Sequence, residues 1–578
     1  MDAPRPEYPR PQLVRDRWMS LNGVWAFEYD PSLSGLDRGL VERERYAREI
    51  LVPYCPESTL SGLGDIDFHP GVWYRRTVKI PDDWGQGRVL LHVGACDHDA
   101  MVWVNGRPVG AHFGGYTPFH FDITEFLTDG PNSLVIHAQD DTRSPWVLSG
   151  KQCPDYRSRQ CHYTRTTGIW QTVWLEPVPA THVQSLRLTP LLESSQLLIE
   201  ATAAGVPAQA TLTATAYLSG ERLACKAVCF NGLHCSLVLD LPDVQTWSPQ
   251  RPTLYDLVIR MESAGSLDIV RSYFGMRSIA LSDRAILLNG QPRFQRLVLD
   301  QGYYPAGIYT APDDKALRDD ILISQGLGFD GARLHQKLFE PRYLYWADRL
   351  GYLVWGEFPN WGLDVSDPRA FEVFLPQWLE AVQRDYSHPS IVGWCPFNET
   401  QIDQDPKVLS GVYRTTKAAD RTRPVIDSSG WQHVETDIYD VHNYDQNPET
   451  FASVFSGFAA GGEPFRNRPE HDAPYLGQPY FVSEYGGIWW NPGQTDASGW
   501  GYGGLSGRPE TAEAFLERYR ALTDALLDNP RICAFCYTQL YDIEQEVNGL
   551  YTYDRRSKFD AEAIRRINTR RAAVEKKE

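Results

Sequence analysis

The chain has no apolar run long enough to cross a membrane. Its 578 residues are 42% hydrophobic, yet no uninterrupted stretch approaches the roughly 20 apolar residues of a transmembrane helix. The first residues, Met1-Asp2-Ala3-Pro4-Arg5-Pro6, also lack the apolar core of a secretory signal peptide. These absences predict a cytoplasmic protein without a membrane partner.

Positive charge is in deficit. The formal net charge is −18, from 56 Lys and Arg residues against 74 Asp and Glu residues. A surface of this sign repels nucleic acid and acidic lipid. We therefore expect no nucleic-acid partner, whereas a neutral substrate is easier to bind.

The cysteines show no pattern of redox or metal chemistry. The ten Cys are scattered, most of them in apolar runs, which is typical of reduced core residues in a cytoplasmic protein. Cys533-Ala534-Phe535-Cys536 has the redox spacing, but it lies in a strand-like run with no helix start after it. The sequence also has no paired metal-ligand spacing, no P-loop and no nucleophile-elbow serine. We expect neither a metal nor a cofactor.

The first two regions of the chain have the pattern of β-structure. In residues 1–179 short apolar segments alternate with turn residues, and Asn105-Gly106 after an alternating run is a strong hairpin signal. Residues 180–278 repeat this style on a smaller scale, as in the alternation of Leu197–Ala203. We predict a jelly-roll β-sandwich for the first region and an immunoglobulin-like β-sandwich for the second.

In residues 279–578 helical stretches alternate with apolar strands. Leu379, Val382 and Tyr386 form a helical stripe that ends at His388-Pro389. Eight candidate strands follow one another: Phe294–Leu299, Ala332–His335, Tyr352–Glu357, Ile391–Asn398, Pro424–Ser428, Ile438–Asn443, Tyr480–Glu484 and Ile532–Gln539. This pattern predicts a (β/α)8 TIM barrel, whose active site lies at the carboxyl ends of the strands.

Two of these strands end in glutamates, Glu399 and Glu484. A carboxylate at a buried strand end costs desolvation energy unless something uses or pairs it. In a barrel the two would face each other across the mouth, as glycoside hydrolysis requires, and retaining enzymes hold such groups about 5–5.5 Å apart. Asn398, beside Glu399, would offer an amide to a sugar hydroxyl. The alternative is a pair of salt-bridged structural acids.

Other candidates follow from position. Arg333 alternates with His335 on the second strand, where an inward Arg would keep a nucleophilic carboxylate ionised or serve as a structural ion pair. His335 is a ligand contact or a core histidine. Further candidates for substrate binding at strand ends are Asp300, Glu357, His442, Asn443, Tyr444 and Gln539. The segment Ile488–Gly507 is rich in Trp and Gly, so Trp489 there is either a platform for a sugar ring or part of a packed loop.

The order of domains and two motifs, Phe397-Asn398-Glu399 and Val482-Ser483-Glu484-Tyr485-Gly486, resemble glycoside hydrolase family 2. Further segments resemble the sugar-binding domain of that family: Leu21-Asn22-Gly23-Val24-Trp25, Val104-Asn105-Gly106 and Thr167-Gly168-Ile169-Trp170-Gln171-Thr172-Val173. The resemblance covers essentially the whole chain. It implies a retaining exo-β-glycosidase that works by double displacement without a redox cofactor. It also implies that Glu399 is the acid/base, Glu484 the nucleophile, Asn398 the partner of the 2-hydroxyl group and Tyr444 a hydrogen-bond donor to the nucleophile.

The substrate is less well defined, because the family includes β-galactosidases, β-glucuronidases, β-mannosidases and furanoside-cleaving members. The Asn-x-Lys element of the glucuronidases has no match, since Asn548-Gly549-Leu550 lacks the Lys. His162 stands where familiar members place an Asp that points towards the sugar, six residues before Gly168. Arg333-Leu334-His335-Gln336-Lys337 also departs from the usual Arg-x-Ser-His-Tyr-Pro pattern.

We hypothesise hydrolysis of a terminal β-galactose-type residue, with His162 among the substrate-binding residues. A β-galactofuranosidase or arabinosidase is the first alternative, followed by a β-glucuronidase or β-mannosidase. Two hypotheses come from other classes: a non-catalytic carbohydrate-binding protein, which would have lost a glutamate, and a scaffold whose sandwiches mediate assembly. A homo-oligomer is compatible with each of them.

Overall fold

The first domain is a β-sandwich of two antiparallel sheets. The computed structural model describes residues 3–85, 87–205, 210–263, 265–493 and 499–575. The strands of the first domain are β1 (Met19–Ser20), β2 (Gly23–Tyr29), β3 (Arg48–Val52), β4 (Gly71–Lys79), β5 (Arg88–Val93), β6 (Cys96–Asp97), β7 (Asp99–Val104), β8 (Arg107–Phe113), β9 (Phe119–Asp122), β10 (Pro131–Gln139), β11 (Gly168–Ile169) and β12 (Val173–Val178). The sheet orders are β1-β12-β5-β9 and β3-β2-β4-β10-β7-β8, with β11 paired to β6. In β2, Val24 is 54% exposed and Trp25 is 1% exposed, because alternate side chains of a strand point to opposite faces.

The second domain is a smaller sandwich of the immunoglobulin-like type. Its strands are β13 (His182–Leu191), β14 (Gln196–Ala204), β15 (Thr211–Leu218), β16 (Glu221–Cys229), β17 (His234–Asp240), β18 (Trp247–Ser248), β19 (Arg251–Pro252), β20 (Tyr255–Ser263) and β21 (Ser266–Phe274). The sheets β13-β14-β17 and β16-β15-β20-β21 enclose alternating side chains such as Ile199 and Leu212. Three short strands, β22 (Ile279–Leu281), β23 (Ile286–Leu288) and β24 (Gln291–Pro292), then lead into the third domain.

The third domain is a parallel sheet curled into a TIM barrel. Its strands are β25 (Gln295–Asp300), β26 (Gly331–Leu334), β27 (Leu353–Glu357), β28 (Ile391–Cys395), β29 (Phe397–Asn398), β30 (Ser428–Ser429), β31 (Tyr439–Asn443), β32 (Tyr480–Gly486) and β33 (Ile532–Thr538). The main sheet has the order β28-β27-β26-β25-β33-β32-β31, and β29 pairs with β30. Near-continuous burial of strands such as β32 reflects the helices outside the sheet and the packed side chains inside it.

The predicted fifth barrel strand, Pro424–Ser428, is interrupted. Val425 forms a bridge with Trp394, whereas the next ladder begins only at β30. The amide of Val425 donates to the side chain of Asp437 at 2.9 Å, which takes the place of a neighbouring strand. The backbone of Asp437 donates to the carbonyl of Val425 at 3.0 Å, and this bond closes the barrel between its fifth and sixth segments.

The helices surround the barrel, and side-chain caps mark where most of them begin. They are α1 (Asp314–Gly326), α2 (Pro341–Leu350), α3 (Ala370–Asp385), α4 (Pro406–Ala419), α5 (Pro448–Ala459), α6 (Ala512–Leu527) and α7 (Ala561–Asn568). The cap residues that accept a backbone N–H are Asp313, Asp405, Asn447, Thr511 and Asp560. Such caps satisfy amides that have no partner within the helix. Within the described ranges, no helix is long and apolar enough to span a membrane.

A loop of the first sandwich reaches the mouth of the barrel. The amide of Gly150 donates to the carbonyl of Trp361 at 2.9 Å. Gly150 has φ +57°, and a Cβ added to it would lie 2.5 Å from the carbonyl oxygen of Gln336. Glycine is therefore needed both for the left-handed conformation and for the close approach. As a result, the sandwich contributes side chains to the catalytic face of the barrel.

Candidate active site

Glu399 and Glu484 lie close together at the carboxyl ends of the barrel strands. Glu399 directly follows β29, and its amide donates to the carbonyl of Ser429 at 2.9 Å. Its φ of +49° is left-handed, a conformation that non-glycine residues rarely adopt away from functional sites. One oxygen of each glutamate and a ring nitrogen of His442 lie within 4.8 Å of one another. The two carboxyl groups can therefore reach the same sugar carbon from different sides.

The carboxylate of Glu484 is held by a guanidinium group and a phenol. Arg333 Nη1 lies 3.2 Å from Glu484 Oε1, and the hydroxyl group of Tyr444 donates to Oε2. Burial alone would raise the pKa of this carboxyl group, but the nearby His442 and Arg333 and the hydrogen bond from Tyr444 outweigh it, and the pKa is lowered. Glu484 is thus ionised at neutral pH.

Arg333 connects the nucleophile side of the site to its surroundings. Its guanidinium group is fully buried and donates to Glu357 at 2.6 Å and to the carbonyl of Ser483 at 2.8 Å. It also donates to Asn398 Oδ1 at 3.0 Å. His335 contacts the second oxygen of Glu357 at 3.0 Å, so both oxygens of Glu357 are engaged. Glu357 supports Arg333 and His335, and its predicted substrate contact stays a prediction.

The position of Glu399 depends on His442. Nδ1 of His442 lies 2.7 Å from Glu399 Oε1 and 3.5 Å from Glu484 Oε2. The other ring nitrogen contacts Ser429 Oγ at 3.1 Å, and this hydroxyl donates to Asp440 at 2.6 Å. The chain of contacts orients the imidazole ring between the two glutamates. Among the described residues, Glu399, His442 and Glu484 form the set that is close enough to hold a metal ion, but Arg333 already occupies the Glu484 side.

Three of the predicted substrate-binding residues carry a polar atom that has no partner within the described part of the chain. These atoms are Nδ2 of Asn398, Oε1 of Gln539 and Nδ1 of His162, all of them buried. Buried polar groups in proteins are nearly always hydrogen-bonded. At the mouth of the barrel, such atoms are available for sugar hydroxyl groups.

Two other predicted residues lie outside this cluster. The oxygens of Asp300 accept hydrogen bonds from Tyr541, the amide of Gly302 and Tyr343 at 2.5, 2.9 and 3.0 Å. Asp300 is therefore a buried acid with tyrosine and backbone partners, and its predicted substrate contact stays a prediction. Trp489 is buried, with its ring 5.5 Å from the guanidinium group of Arg508, which favours the packed-loop alternative. Residues 494–498 of the predicted aromatic segment lie outside the described residues.

Sequence reasoning missed several residues of the pocket. Tyr502, one of the aromatic residues of the predicted segment Ile488–Gly507, stacks on Tyr444 with ring centroids 3.4 Å apart. Trp361 follows the third strand and donates from its ring nitrogen to the carbonyl of Asn398 at 3.2 Å. A search of all strand ends for aromatic residues would have found it. No sequence pattern of this kind pointed to Lys151 or Glu546.

Comparisons with known families agree with this architecture. The chain matches the sugar binding domain of glycosyl hydrolases family 2 over residues 65–179, the domain described as glycosyl hydrolases family 2 over residues 181–277 and the family's TIM barrel domain over residues 315–568. The chain therefore belongs to glycoside hydrolase family 2, and the predicted family and fold class are confirmed. It is a retaining β-glycosidase of that family.

The relatives carry more than one substrate name. A β-glucuronidase from Pongo abelii is 28% identical over 462 residues, covering 72% of this chain and 69% of the relative. A β-galactosidase from Thermoanaerobacter pseudethanolicus is 27% identical over 370 residues, or 61% and 48% of the two chains. Among solved structures, a Ruminococcus gnavus β-glucuronidase has a TM-score of 0.79 at 18% identity, covering 98% of this chain and all of the other. An Eisenbergiella tayi β-galacturonidase has a TM-score of 0.77 at 18% identity, covering 98% of each chain. At this identity the structures show the fold alone.

Proposed function

We propose that the protein is an exo-β-glycosidase in which Glu484 is the nucleophile and Glu399 the acid/base. The observation that carries this proposal is the pair of carboxyl groups with oxygens within 4.8 Å, close to the spacing of about 5–5.5 Å in retaining enzymes. The environments of the two groups assign their roles. Only Glu484 is held by both a guanidinium group and a phenol, whereas the side chain of Glu399 is more exposed, at 11% against 4%.

In the first step Glu484 attacks the anomeric carbon while Glu399 donates a proton to the leaving oxygen. The bond from carbon to the leaving group breaks, and a glycosyl ester forms on Glu484. In the second step Glu399 takes a proton from water, which attacks the same carbon and releases Glu484. Access of water to Glu399 is consistent with its greater exposure.

Asn398 supports the reaction by a fixed amide. Because Arg333 donates to Asn398 Oδ1 at 3.0 Å, the NH2 group of the amide is directed away from the guanidinium group. The free Nδ2 atom can then donate to the 2-hydroxyl group of the sugar. A hydrogen bond at this position strengthens in the transition state and contributes several kcal/mol in glycosidases.

For the sugar, we propose a terminal β-galactose-type residue, and relatives named β-galactosidase support this configuration. Relatives named β-glucuronidase and β-galacturonidase support the acidic counterparts of such sugars. A screen of nitrophenyl β-pyranosides and β-furanosides, neutral and acidic, tests the ring size and the substituent at C6. Hydrolysis of a furanoside in preference to every pyranoside would replace the galactose-type proposal by its first alternative.

The catalytic roles can be tested by azide rescue. We expect Glu484→Ala to lower kcat at least about 10⁴-fold and azide to restore turnover with an α-glycosyl azide as product. Glu399→Ala serves as the matched control, because azide there attacks the glycosyl-enzyme and yields the β-azide. A 2-deoxy-2-fluoro glycoside should label Glu484 in the native enzyme. Unchanged turnover in Glu484→Ala, or a label on another residue, would contradict the assignment.

A further inference from the structure

The imidazole ring of His442 has a polar partner at each of its nitrogens. On one side Nε2 lies 3.1 Å from Ser429 Oγ, and on the other Nδ1 lies 2.7 Å from Glu399 Oε1. The residue is only 3% exposed, so these two groups and not bulk water set the protonation of the ring. Each nitrogen carries a proton if its partner can only accept one.

The hydroxyl proton of Ser429 is committed to Asp440. Ser429 Oγ donates to Asp440 Oδ2 at 2.6 Å, and the hydroxyl group of Ser483 donates to the same oxygen. Burial works against the charge of Asp440, but the hydrogen bond and the charge of His433 outweigh it and lower its pKa to about 2. Because a hydroxyl group has one proton and a carboxylate has none, Ser429 presents a lone pair to the ring. Nε2 of His442 therefore carries a proton.

The other nitrogen of the ring faces the two catalytic carboxyl groups. Nδ1 lies 2.7 Å from Glu399 Oε1 and 3.5 Å from Glu484 Oε2. A proton on Glu399 Oε1 that donated to a bare Nδ1 would be held in the contact with the ring instead of being offered to the leaving oxygen. If Nδ1 carries the proton, it donates to Oε1 and leaves the second oxygen of Glu399 for the substrate. A ring with a proton on each nitrogen is an imidazolium.

The charges around the ring favour this cation. Burial and the charge of Arg333 on β26 work against it, but Glu484 on β32 and Glu399 after β29 outweigh them and raise the pKa of His442. Burial lowers the pKa of His335 well below its ordinary value, so this second imidazole adds no opposing charge at neutral pH. The remaining acids that interact with the charge of the ring are Glu357 and Asp440.

We propose that His442 stays an imidazolium throughout the reaction and is the counter-ion shared by the two catalytic glutamates. In the free enzyme it compensates the charge of Glu484. As Glu484 bonds to the anomeric carbon and loses its charge, the proton of Glu399 passes to the leaving oxygen, and the same cation compensates the new carboxylate of Glu399. In the second step Glu399 takes a proton from water, and Glu484 is released as a carboxylate.

The ring itself neither gains nor loses a proton in this cycle. One of the two glutamates is ionised at each stage, and Nδ1 is within reach of both. The cation therefore stabilises the negative charge that develops on Glu399 without any movement of charge from elsewhere in the protein. The inference rests on the proposed function of the same site and adds His442 to it.

The protonation of the ring can be observed directly. Nitrogen-15 NMR of enzyme that carries isotope-labelled histidine distinguishes a protonated ring nitrogen from a bare one, and His442→Gln identifies the signals of His442 by their loss. We expect both nitrogens to be protonated at neutral pH, in the free enzyme and in the intermediate trapped on Glu484 by a 2-deoxy-2-fluoro glycoside. A bare nitrogen of His442 in either state would overturn the inference.

The leaving group provides a kinetic test. Gln keeps a hydrogen-bond donor but carries no charge, so His442→Gln should lower kcat/KM for the phenyl glycoside of the preferred sugar by about 10²-fold to 10³-fold. The 2,4-dinitrophenyl glycoside of the same sugar has a weakly basic leaving group that needs no proton from Glu399. The loss on this substrate should be at least about tenfold smaller. Equal losses on both substrates in a folded variant would make His442 a structural residue and contradict the inference.

The pH–rate profile gives a third measurement. Loss of the cation should raise the pKa of Glu484, so the acidic limb of kcat/KM should move to higher pH in His442→Gln. His388→Gln is the control, because it removes another buried histidine, 2.6 Å from Asp348, before the amino end of β28 and so at the opposite end of the barrel. It should leave the limb in place, and thermal unfolding checks that both variants are folded. An unshifted limb in His442→Gln would contradict the shared counter-ion.

A metal ion at the same place is a separate outcome. An imidazolium has no lone pair for a metal, so the native enzyme should keep its activity in EDTA. Loss of activity in EDTA that a divalent cation restores would assign His442 to a metal site and overturn the inference. Failure of azide rescue in Glu484→Ala, together with no trapped intermediate on Glu484, would instead contradict the proposed function.

Discussion

Buried carboxyl groups behave in opposite ways in the barrel and in the first sandwich. In the barrel, Glu484 and Asp440 lie beside His442 and His433, and both pKa values are lowered, that of Asp440 to about 2. In the sandwich, burial raises the pKa of Glu57 to about 7 and that of Asp140 to about 6. Glu484 and Asp440 are charged at neutral pH, whereas burial brings the titration of Glu57 and Asp140 up towards neutral pH, so that Glu57 is only partly ionised there.

The difference lies in the partners that each fold provides. At the carboxyl ends of the barrel strands, side chains from several strands converge, so Arg333 on β26 can reach Glu484 on β32. In the sandwich, Glu57 accepts from the amide of Thr167 at 3.1 Å, and its other oxygen has no partner among the described residues. Charge is retained where cations surround it and is suppressed where only burial acts.

Removal of the guanidinium group of Arg333 should have the largest effect on the pKa difference between the carboxyl groups of the barrel and those of the sandwich. Arg333→Met leaves Glu357 and Glu484 buried without their guanidinium partner, so the pKa of Glu484 should rise. We expect kcat to fall about 10³-fold or more and the free energy of unfolding to fall by about 3–5 kcal/mol.

Lys558→Met is the control for Arg333→Met, because it removes another buried cation from its carboxylate partner, Asp542. It should lower the stability without a comparable loss of kcat in the folded protein. Kinetics and denaturant titration measure both quantities. Activity of Arg333→Met within tenfold of the native enzyme would show that Arg333 is structural.

A smaller effect should follow from the phenol that donates to the nucleophile. In Tyr444→Phe the loss of this hydrogen bond should lower kcat about 10-fold to 100-fold, as expected for a bond to a charged group. The bond favours the ionised carboxylate, so its loss should move the acidic limb of the pH–rate profile to higher pH. Tyr485→Phe is the control, since that neighbouring hydroxyl contacts Thr523 instead, at 2.9 Å. An unshifted acidic limb in Tyr444→Phe would disprove the assigned role.

Asp440, a charged acid of the barrel, should stabilise the protein at pH values above the pKa that this group has in the unfolded chain. Asp440 has a folded pKa of about 2, below its ordinary value of 3.8. Its contribution is therefore present above about pH 4 and disappears as the pH falls towards 2. Asp440→Asn should lower the free energy of unfolding at pH 7 by roughly 2 kcal/mol, and the difference should shrink in acid. A loss that does not depend on pH would indicate packing instead of charge.

Glu57, the acid of the sandwich whose pKa is raised, should show the opposite dependence of stability on pH. Glu57 has a pKa of about 7 in the folded protein, above its ordinary value of 4.5. As the pH rises from 4.5 to 7, this group ionises in the unfolded chain before it does in the folded protein, so the free energy of unfolding falls. Glu57→Gln should therefore stabilise the protein at pH 8 by on the order of 1–3 kcal/mol and have little effect below pH 4. Thermal unfolding at several pH values measures this. Destabilisation at pH 8 would contradict the assignment.

Local patterns explain why much of the barrel site could be predicted. Glu399 and Glu484 were found because an apolar run that ends in an acid is visible within about ten residues. The same reasoning led to Arg333, Tyr444 and Gln539, all at strand ends. It placed Asp300 among the substrate-binding candidates, because position alone does not show that Tyr343 and Tyr541 donate hydrogen bonds to its oxygens. The sequence pattern also predicted a continuous fifth strand, because the bond from Val425 to Asp437 that interrupts it depends on a tertiary contact.

The sequence by itself determined the three domains and the two catalytic candidates, because hydrophobic alternation and strand-end acids are local properties of a chain, and the resemblance of its motifs gave the family. Only the tertiary structure decided which groups surround these acids. Closure of the barrel sets the distance between Glu399 and Glu484, and docking of the sandwich loop brings Lys151 to Trp361. Contacts between segments so distant in sequence depend on packing, and no local pattern records them.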